Sequence, residues 1–252
     1  MAPVKLPGLL SEVLDFCYPG RCAGCGESAE GTAVLCPACD EQLRQLESTA
    51  ACTWCGKPIP EAGAPCPHCL GDGIAHFDRV LRLGTFADPL KHLIHQMKYH
   101  RQWGLAEALA DRLAAHERAA QMLGEADVIV PVPLHRIRQV TRGYNQAEVI
   151  AKRLKRSRRD LRVARAVVRL RHTESQTDMA SAKAREDNMR DAFGLVNARC
   201  IHGKRVVVVD DVMTTGATLR AVARALRPAK PASLSALVIA VADPIGQNFQ
   251  KI

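Results

Sequence analysis

The sequence predicts an α/β fold, a parallel sheet flanked by helices, with a small cysteine-rich metal module near its N-terminus. Three observations carry this. First, Val206 to Val209 is a β-branched run, followed after a short loop by Leu219, Val222 and Leu226 at helical spacing. Such a run reads as a strand buried on both faces, the habit of parallel sheets. Second, aromatic residues make up only 4% of the 252 residues against 47% for apolar ones, so the core is mostly Val, Leu, Ile and Ala. That suits helices packed on a sheet better than an aromatic-rich all-β protein. Third, eight of the ten cysteines fall in four Cys-x-x-Cys pairs, all before residue 70.

From the N-terminus, Leu6, Leu9, Leu10, Val13 and Leu14 form the apolar stripe of one short amphipathic helix. The first sixteen residues lack a basic start, a continuous apolar stretch and a small-residue cleavage site, so they do not read as a signal peptide. No run of about eighteen apolar residues occurs, so no membrane insertion is expected. The expected location is the cytoplasm.

The cysteines form an internal repeat. Adding thirty to Cys22, Cys25, Cys36 and Cys39 gives Cys52, Cys55, Cys66 and Cys69. Gly26 and Gly56 follow the first pair of each unit, and Pro37 and Pro67 follow the third cysteine. Zn²⁺ takes four thiolates in a tetrahedron, and two residues between cysteines let one tight turn aim both sulfurs at one ion. The glycines permit the positive backbone angles such turns need. A sixty-residue segment with few large apolar side chains cannot hold itself by burial alone, so metal binding would supply most of its folding energy. Disulfides compete for the same residues, but without a signal peptide the compartment is expected to be reducing. Two structural zinc ions are therefore expected. Sequential pairing, four cysteines then four, is favoured over a crossed arrangement, which the spacing leaves open. Cys17 and Cys200 have no partner at ligand spacing and read as buried small residues.

Beyond Cys69, residues 77–86 alternate apolar and polar and predict one or two strands. Asp88 and Pro89 read as N-cap and first helical residue of a helix 89–99 with Leu90, Leu93, Ile94 and Met97 inside; Lys91, His92, His95 and Lys98 decorate its other faces. Residues 104–120 predict a second helix. Residues 127–133 form a short apolar strand stopped by Pro131 and Pro133. The cationic loop 134–146 then follows at a strand's C-terminal end, where open α/β sheets bind ligands, and leads into a helix 145–156.

The formal net charge is +9, and much of it crowds into residues 152–171. Lys152, Arg153, Lys155, Arg156, Arg158, Arg159, Arg162, Arg165, Arg169 and Arg171 are opposed within that stretch only by Asp160. This is either a solvated face or an electrostatic footprint for single-stranded nucleic acid. No aromatic residue interleaves these charges, so the stretch by itself offers no stacking platform.

Asp210 and Asp211 end the valine run, and Thr214, Thr215, Gly216, Ala217 and Thr218 lead into a helix. A helix start presents backbone N–H groups and a positive dipole end, which favour phosphate. Small side chains let it approach, threonine hydroxyls add donors, and two carboxylates suit the hydroxyls of an attached sugar. The segment is neither a Walker loop nor a dinucleotide fingerprint.

Residues 206–218 resemble the phosphoribosyl-diphosphate (PRPP) motif of type I phosphoribosyltransferases. The order of tandem cysteine knuckles, a helix like Leu90–Tyr99, Val130-Pro131-Val132-Pro133-Leu134, Arg142-Gly143-Tyr144-Asn145-Gln146 and this motif is similar to the ComF family. Those are phosphoribosyltransferase-like proteins with an N-terminal double zinc ribbon, four cysteines to each ion, linked to natural competence and DNA uptake. The resemblance implies a double zinc ribbon over 17–71, a type I phosphoribosyltransferase-like domain over 76–242 and a C-terminal tail over 243–252. It implies that Asp210 and Asp211 hold the ribose hydroxyls and act in any catalysis. Met213 through Thr218 would cradle the 5-phosphate, Val132 and Pro133 would border the pyrophosphate, and Arg142 would meet its charge, with Mg²⁺ bridging pyrophosphate and ribose. Gln176, Arg185 and Asn188 match a mobile loop over the site. Three roles stay open: a PRPP-binding competence protein that contacts single-stranded DNA, a phosphoribosyltransferase of nucleotide metabolism, or a scaffold for a competence helicase or processing protein.

Overall fold

The computed structural model describes residues 21–28, 34–99, 102–135, 139–141, 143–170 and 192–242. Along the chain, helix α1 (Pro37–Ser48) precedes strand β1 (Arg79–Thr85) and helices α2 (Leu90–Tyr99), α3 (Trp103–Ala115) and α4 (Glu117–Glu125). Then come β2 (Val128–Pro131), α5 (Gln146–Leu154) with a closing 3₁₀ turn, β3 (Arg162–Val163), β4 (Val167–Arg169) and β5 (Phe193–Leu195). Strand β6 (Arg205–Met213), helix α6 (Ala217–Leu226) and strand β7 (Ser233–Val241) complete the order.

Five strands form one sheet in the order β1-β7-β6-β2-β3, with every pairing parallel. Strand β6 is central, as its valine run predicts: Val206 to Val209 pair with Val128 to Pro131 on one side and with Leu234 to Leu237 on the other. Alternation along the strand sends Val206 and Val208 to one face, packed with Val128, Val130 and the apolar side of α6. Val207 and Val209 go to the other face, with Ile129 and the buried stripes of α2, α3, α4 and α5. The strands β4 and β5 form a separate antiparallel pair.

The cysteine segment straddles the β1 edge of this sheet. Cys52, Cys55, Ile59 and Cys66 join the α6-side core together with Ile74, Phe77 and Val80. Leu43 of α1 is fully buried in the core on the opposite face. The buried Arg82 of β1 donates to the carbonyl of Thr49, between the two cysteine groups, at 3.3 Å.

Several boundaries differ from the sequence expectation. Helix α2 begins at Leu90, and Pro89 stands just outside it. The helix expected over 104–120 is two helices, broken at His116, whose backbone is extended (φ −72°, ψ 122°). The break lets Ala119, Met122 and Leu123 turn a separate buried face to the core. Helix α1 and strand β7 go beyond the expectation. Among the described residues no helix is long and apolar enough to cross a membrane. The amphipathic segment 6–14, Cys17, Arg142, the loop residues Gln176, Arg185 and Asn188, and the tail 243–252 lie outside the described residues.

Candidate functional site

The acidic pair sits inside β6 rather than at its end. Strand β6 runs on to Met213, paired with β7 as far as Val241, whereas its partner β2 stops at Pro131 opposite Val209. Asp210 and Asp211 are therefore the first β6 residues left uncovered on the β2 side. The loop after β2 closes that flank: the Val132 N–H donates to the Val209 carbonyl at 2.9 Å. Asn145 clamps the loop, donating through Nδ2 to the Val132 carbonyl (3.0 Å) while its Oδ1 accepts from the Ala147 N–H (3.0 Å) and caps α5. Pro133 follows, half-buried.

Adjacent strand residues point to opposite faces. Asp211 points to the α2 side, where Lys98 Nζ lies 3.1 Å from its Oδ2, both side chains largely shielded from water. Asp210 points to the α6 side, and its Oδ1 accepts from the Asp211 N–H at 2.9 Å. Desolvation pushes the Asp210 carboxyl well above the usual carboxylate range, and the like charge of Asp211 adds to the shift. The positive charges of Lys98 and Arg169 oppose it.

The turn after β6 is built for close approach. Gly216, the N-cap of α6, has a left-handed backbone (φ +78°) and no side-chain cap. A Cβ there would stand 3.0 Å from Ile74 Cδ1, so the linker from the cysteine segment forms the back wall of the turn. Arg220 of α6 donates to the Thr215 carbonyl at 3.0 Å and holds the turn from within the helix. Thr214, Thr215 and Thr218 are half-buried, whereas Met213 and Ala217 are buried in the core, so only their backbone faces a ligand at the turn. The fold thus gathers Val132, Pro133, Asp210, Asp211 and residues 213–218 at the C-terminal ends of β2 and β6. A helix N-terminus, hydroxyls and two adjacent carboxyl groups together can receive a phosphorylated sugar.

Lys98 is the site residue that sequence reasoning misplaces, as decoration of an outer helix face. The available signal is its place eight residues after Leu90 and four after Ile94, along the buried ridge of α2.

The cysteines form two tetrads, Cys22, Cys25, Cys36, Cys39 and Cys52, Cys55, Cys66, Cys69, with the sulfurs of each within 4.8 Å of one another. This is the sequential pairing. A tetrahedron with Zn–S bonds of ~2.3 Å has edges of about 3.8 Å. The Cys25–Cys36, Cys52–Cys69 and Cys55–Cys66 sulfur separations are 3.9, 3.8 and 3.6 Å. Both tetrads fit structural zinc sites. Burial opposes ionisation of Cys22, but the backbone N–H groups of Cys36, Cys25 and Gly24 outweigh it and bring the thiol down to about 6. Cys200 is only half-buried, its Sγ 3.0 Å from the Asn197 carbonyl.

Comparison with known proteins finds matches to both parts of the chain. A family model described as phosphoribosyl transferase domain matches residues 101–250, and one described as double zinc ribbon domain matches residues 13–70. Competence protein F of Haemophilus influenzae is 34% identical over 197 residues, 77% of this chain and 84% of the relative. The DNA utilization protein YhgH of Escherichia coli (strain K12) is 34% identical over 212 residues, 82% of this chain and 91% of the relative. Among solved structures, the purine phosphoribosyltransferase from Pyrococcus horikoshii Ot3 is 18% identical, with a TM-score of 0.35, over 56% of this chain and 75% of its own.

Proposed function

Because the chain belongs to the ComF family, we propose that it binds PRPP with Mg²⁺ at the β6–α6 turn and serves DNA uptake, contacting single-stranded DNA. The observation that carries the first part is the pair Asp210 and Asp211, left uncovered where β2 ends, beside the glycine-hinged turn at the start of α6. The second part is supported by what the relatives are called, by the zinc-ribbon addition and by the basic stretch.

In this reading the first-turn N–H groups of α6 and the hydroxyls of Thr214, Thr215 and Thr218 take the 5-phosphate. Asp210 accepts from the ribose hydroxyls, while Lys98 holds Asp211 in place and offsets its charge. Val132 and Pro133 border the pyrophosphate, with Arg142 as its expected counter-charge. A hard cation fits beside these carboxylate oxygens, and bound Mg²⁺ would neutralise the pyrophosphate. The loop carrying Gln176, Arg185 and Asn188 would close over the sugar and exclude water. Turnover would add an acceptor that displaces pyrophosphate at the anomeric carbon, and pyrophosphate release separates that reading from binding alone. A competence helicase or processing protein is a further partner, and the exposed Trp54 and Leu70 of the second cysteine unit offer it apolar contact. Eight thiols in zinc-type tetrads suit the reducing cytoplasm.

The test is calorimetric titration of PRPP with Mg²⁺. The double variant Asp210→Ala, Asp211→Ala is expected to lose at least ten-fold in affinity, on the order of 1.4 kcal/mol, while keeping its zinc content and circular dichroism. Equal affinity in the two proteins would refute PRPP binding at this turn. Single-stranded DNA binding is expected to weaken steeply as salt rises, because counterions are released from the phosphates. A flat salt response would remove the electrostatic footprint.

A further inference from the structure

The basic stretch contains no aromatic residue, but the fold brings two to it. A pocket of about 420 Å³ is lined by Trp103 at the start of α3, by Tyr144 before α5, and by Val149, Lys152 and Arg156 of the basic stretch and its helix. Trp103 is 59% exposed, an unusual position for an indole unless something covers it. Lys152 also lines a second, larger cleft of about 870 Å³, with Arg162, Arg165, Arg199 and Lys204. The two cavities therefore share a wall, and seven cations face them against four carboxylates.

Those carboxylates do not cancel the cations. Lys152 and Arg165 share Glu148, Arg158 pairs with Asp160 at 2.8 Å and Arg156 with Glu107 at 4.0 Å, but Lys152, Arg156 and Arg165 are two-thirds or more exposed (65%, 66% and 75%). Exposed pairs of this kind are weak, so a phosphate displaces them readily. Arg162 and Arg199 make no ion pair among the described residues.

The geometry points to a single-stranded DNA track in which one base enters the pocket beside Trp103 and Tyr144 and the adjoining phosphates pass over Lys152 into the cationic cleft. This rests on the reading that the chain contacts single-stranded DNA and is independent of the PRPP turn. The chemistry selects the occupant. An apolar ligand would leave the arginines without a counter-charge, and a free anion would make no use of the indole. A polynucleotide with unpaired bases uses both, since each base offers a face for stacking and each phosphate a charge. Duplex DNA keeps its bases stacked on one another and fits only the cleft.

The test uses the full, zinc-loaded chain and a fluorescent deoxyoligonucleotide followed by polarisation. Trp103→Ala is expected to weaken binding roughly ten-fold or more, and Trp103→Phe to recover most of the loss. On the unaltered protein, an oligonucleotide of abasic residues is expected to bind weaker by a similar factor, and a duplex to compete poorly. PRPP titration of Trp103→Ala is expected to match wild type, which shows that the variant is folded. Equal oligonucleotide affinity in wild type and Trp103→Ala, or equal competition by duplex, would overturn the track while leaving single-stranded DNA binding in place. No binding by the wild type would overturn both.

Discussion

The two cysteine units share spacing, glycine and proline placement and even backbone bonds, yet they are held in different ways. In each, the glycine N–H returns to the first cysteine's carbonyl at 2.8 Å, Gly26 to Cys22 and Gly56 to Cys52. In each, the residue after the fourth cysteine bonds back to the third, Asp40 to Cys36 and Leu70 to Cys66. Beyond these knuckles the two units differ. The first unit continues into α1, whereas the second turns at Leu70 and Gly71, both with positive φ. The buried cysteines of the first unit form a small cluster of their own with Leu35. Those of the second belong to the α6-side core of the sheet. One repeat thus yields a knuckle whose two buried cysteines cluster apart from the sheet and a knuckle that is also a wall of the main domain.

The strongest way to break this contrast is to remove one ligand from each unit. Cys55→Ser is expected to release its zinc and to lower the melting temperature of the whole sheet domain, because a structural zinc contributes on the order of 10 kcal/mol and this one is embedded in the shared core. Cys25→Ser is expected to lower zinc content from two ions to one with a much smaller change in the main transition. Metal analysis with calorimetric melting checks both, and equal losses would mean that the burial difference has no energetic consequence.

A gentler pair sharpens the same point. Gly26 and Gly56 both have left-handed backbones, so alanine costs roughly 1–2 kcal/mol at either. A Cβ at Gly26 meets nothing within 4 Å, whereas at Gly56 it would stand 3.1 Å from the Val80 carbonyl of β1. Gly56→Ala is expected to be the more destabilising in urea, and the reverse order would show that the second unit packs more loosely on β1 than described.

The smallest effect concerns how the first unit is tied down. Arg112 of α3 binds Glu47 of α1 through two nitrogens (2.6 and 3.1 Å) and also reaches Asp40. Arg112→Ala is expected to cost about 1 kcal/mol or less, since the guanidinium is partly exposed. A larger loss in urea melts would mean that the first unit depends on this tie as much as on its metal.

What a sequence makes legible follows from the range of the interaction. Chelation needs four thiolates at fixed local spacing, so the thirty-residue cysteine repeat declares the metal module before any fold is known. A strand buried on both faces favours a continuous apolar, β-branched run, and a phosphate turn needs small residues, so Val206 to Thr218 is readable from neighbours alone. The break at His116 is harder to read, because it is set by which faces of α3 and α4 meet the core.

By itself, then, the sequence determined the two metal units, the central strand, the acidic pair and the turn that follows it. Only the tertiary structure decided that the tetrads pair sequentially, that Lys98 meets Asp211, that Ile74 backs Gly216, and that Trp103 and Tyr144 reach Lys152 and Arg156. Each of those depends on groups far apart in the chain, brought together by packing on the sheet. A local pattern records which chemistry a segment carries, and the folded core sets which segments share it.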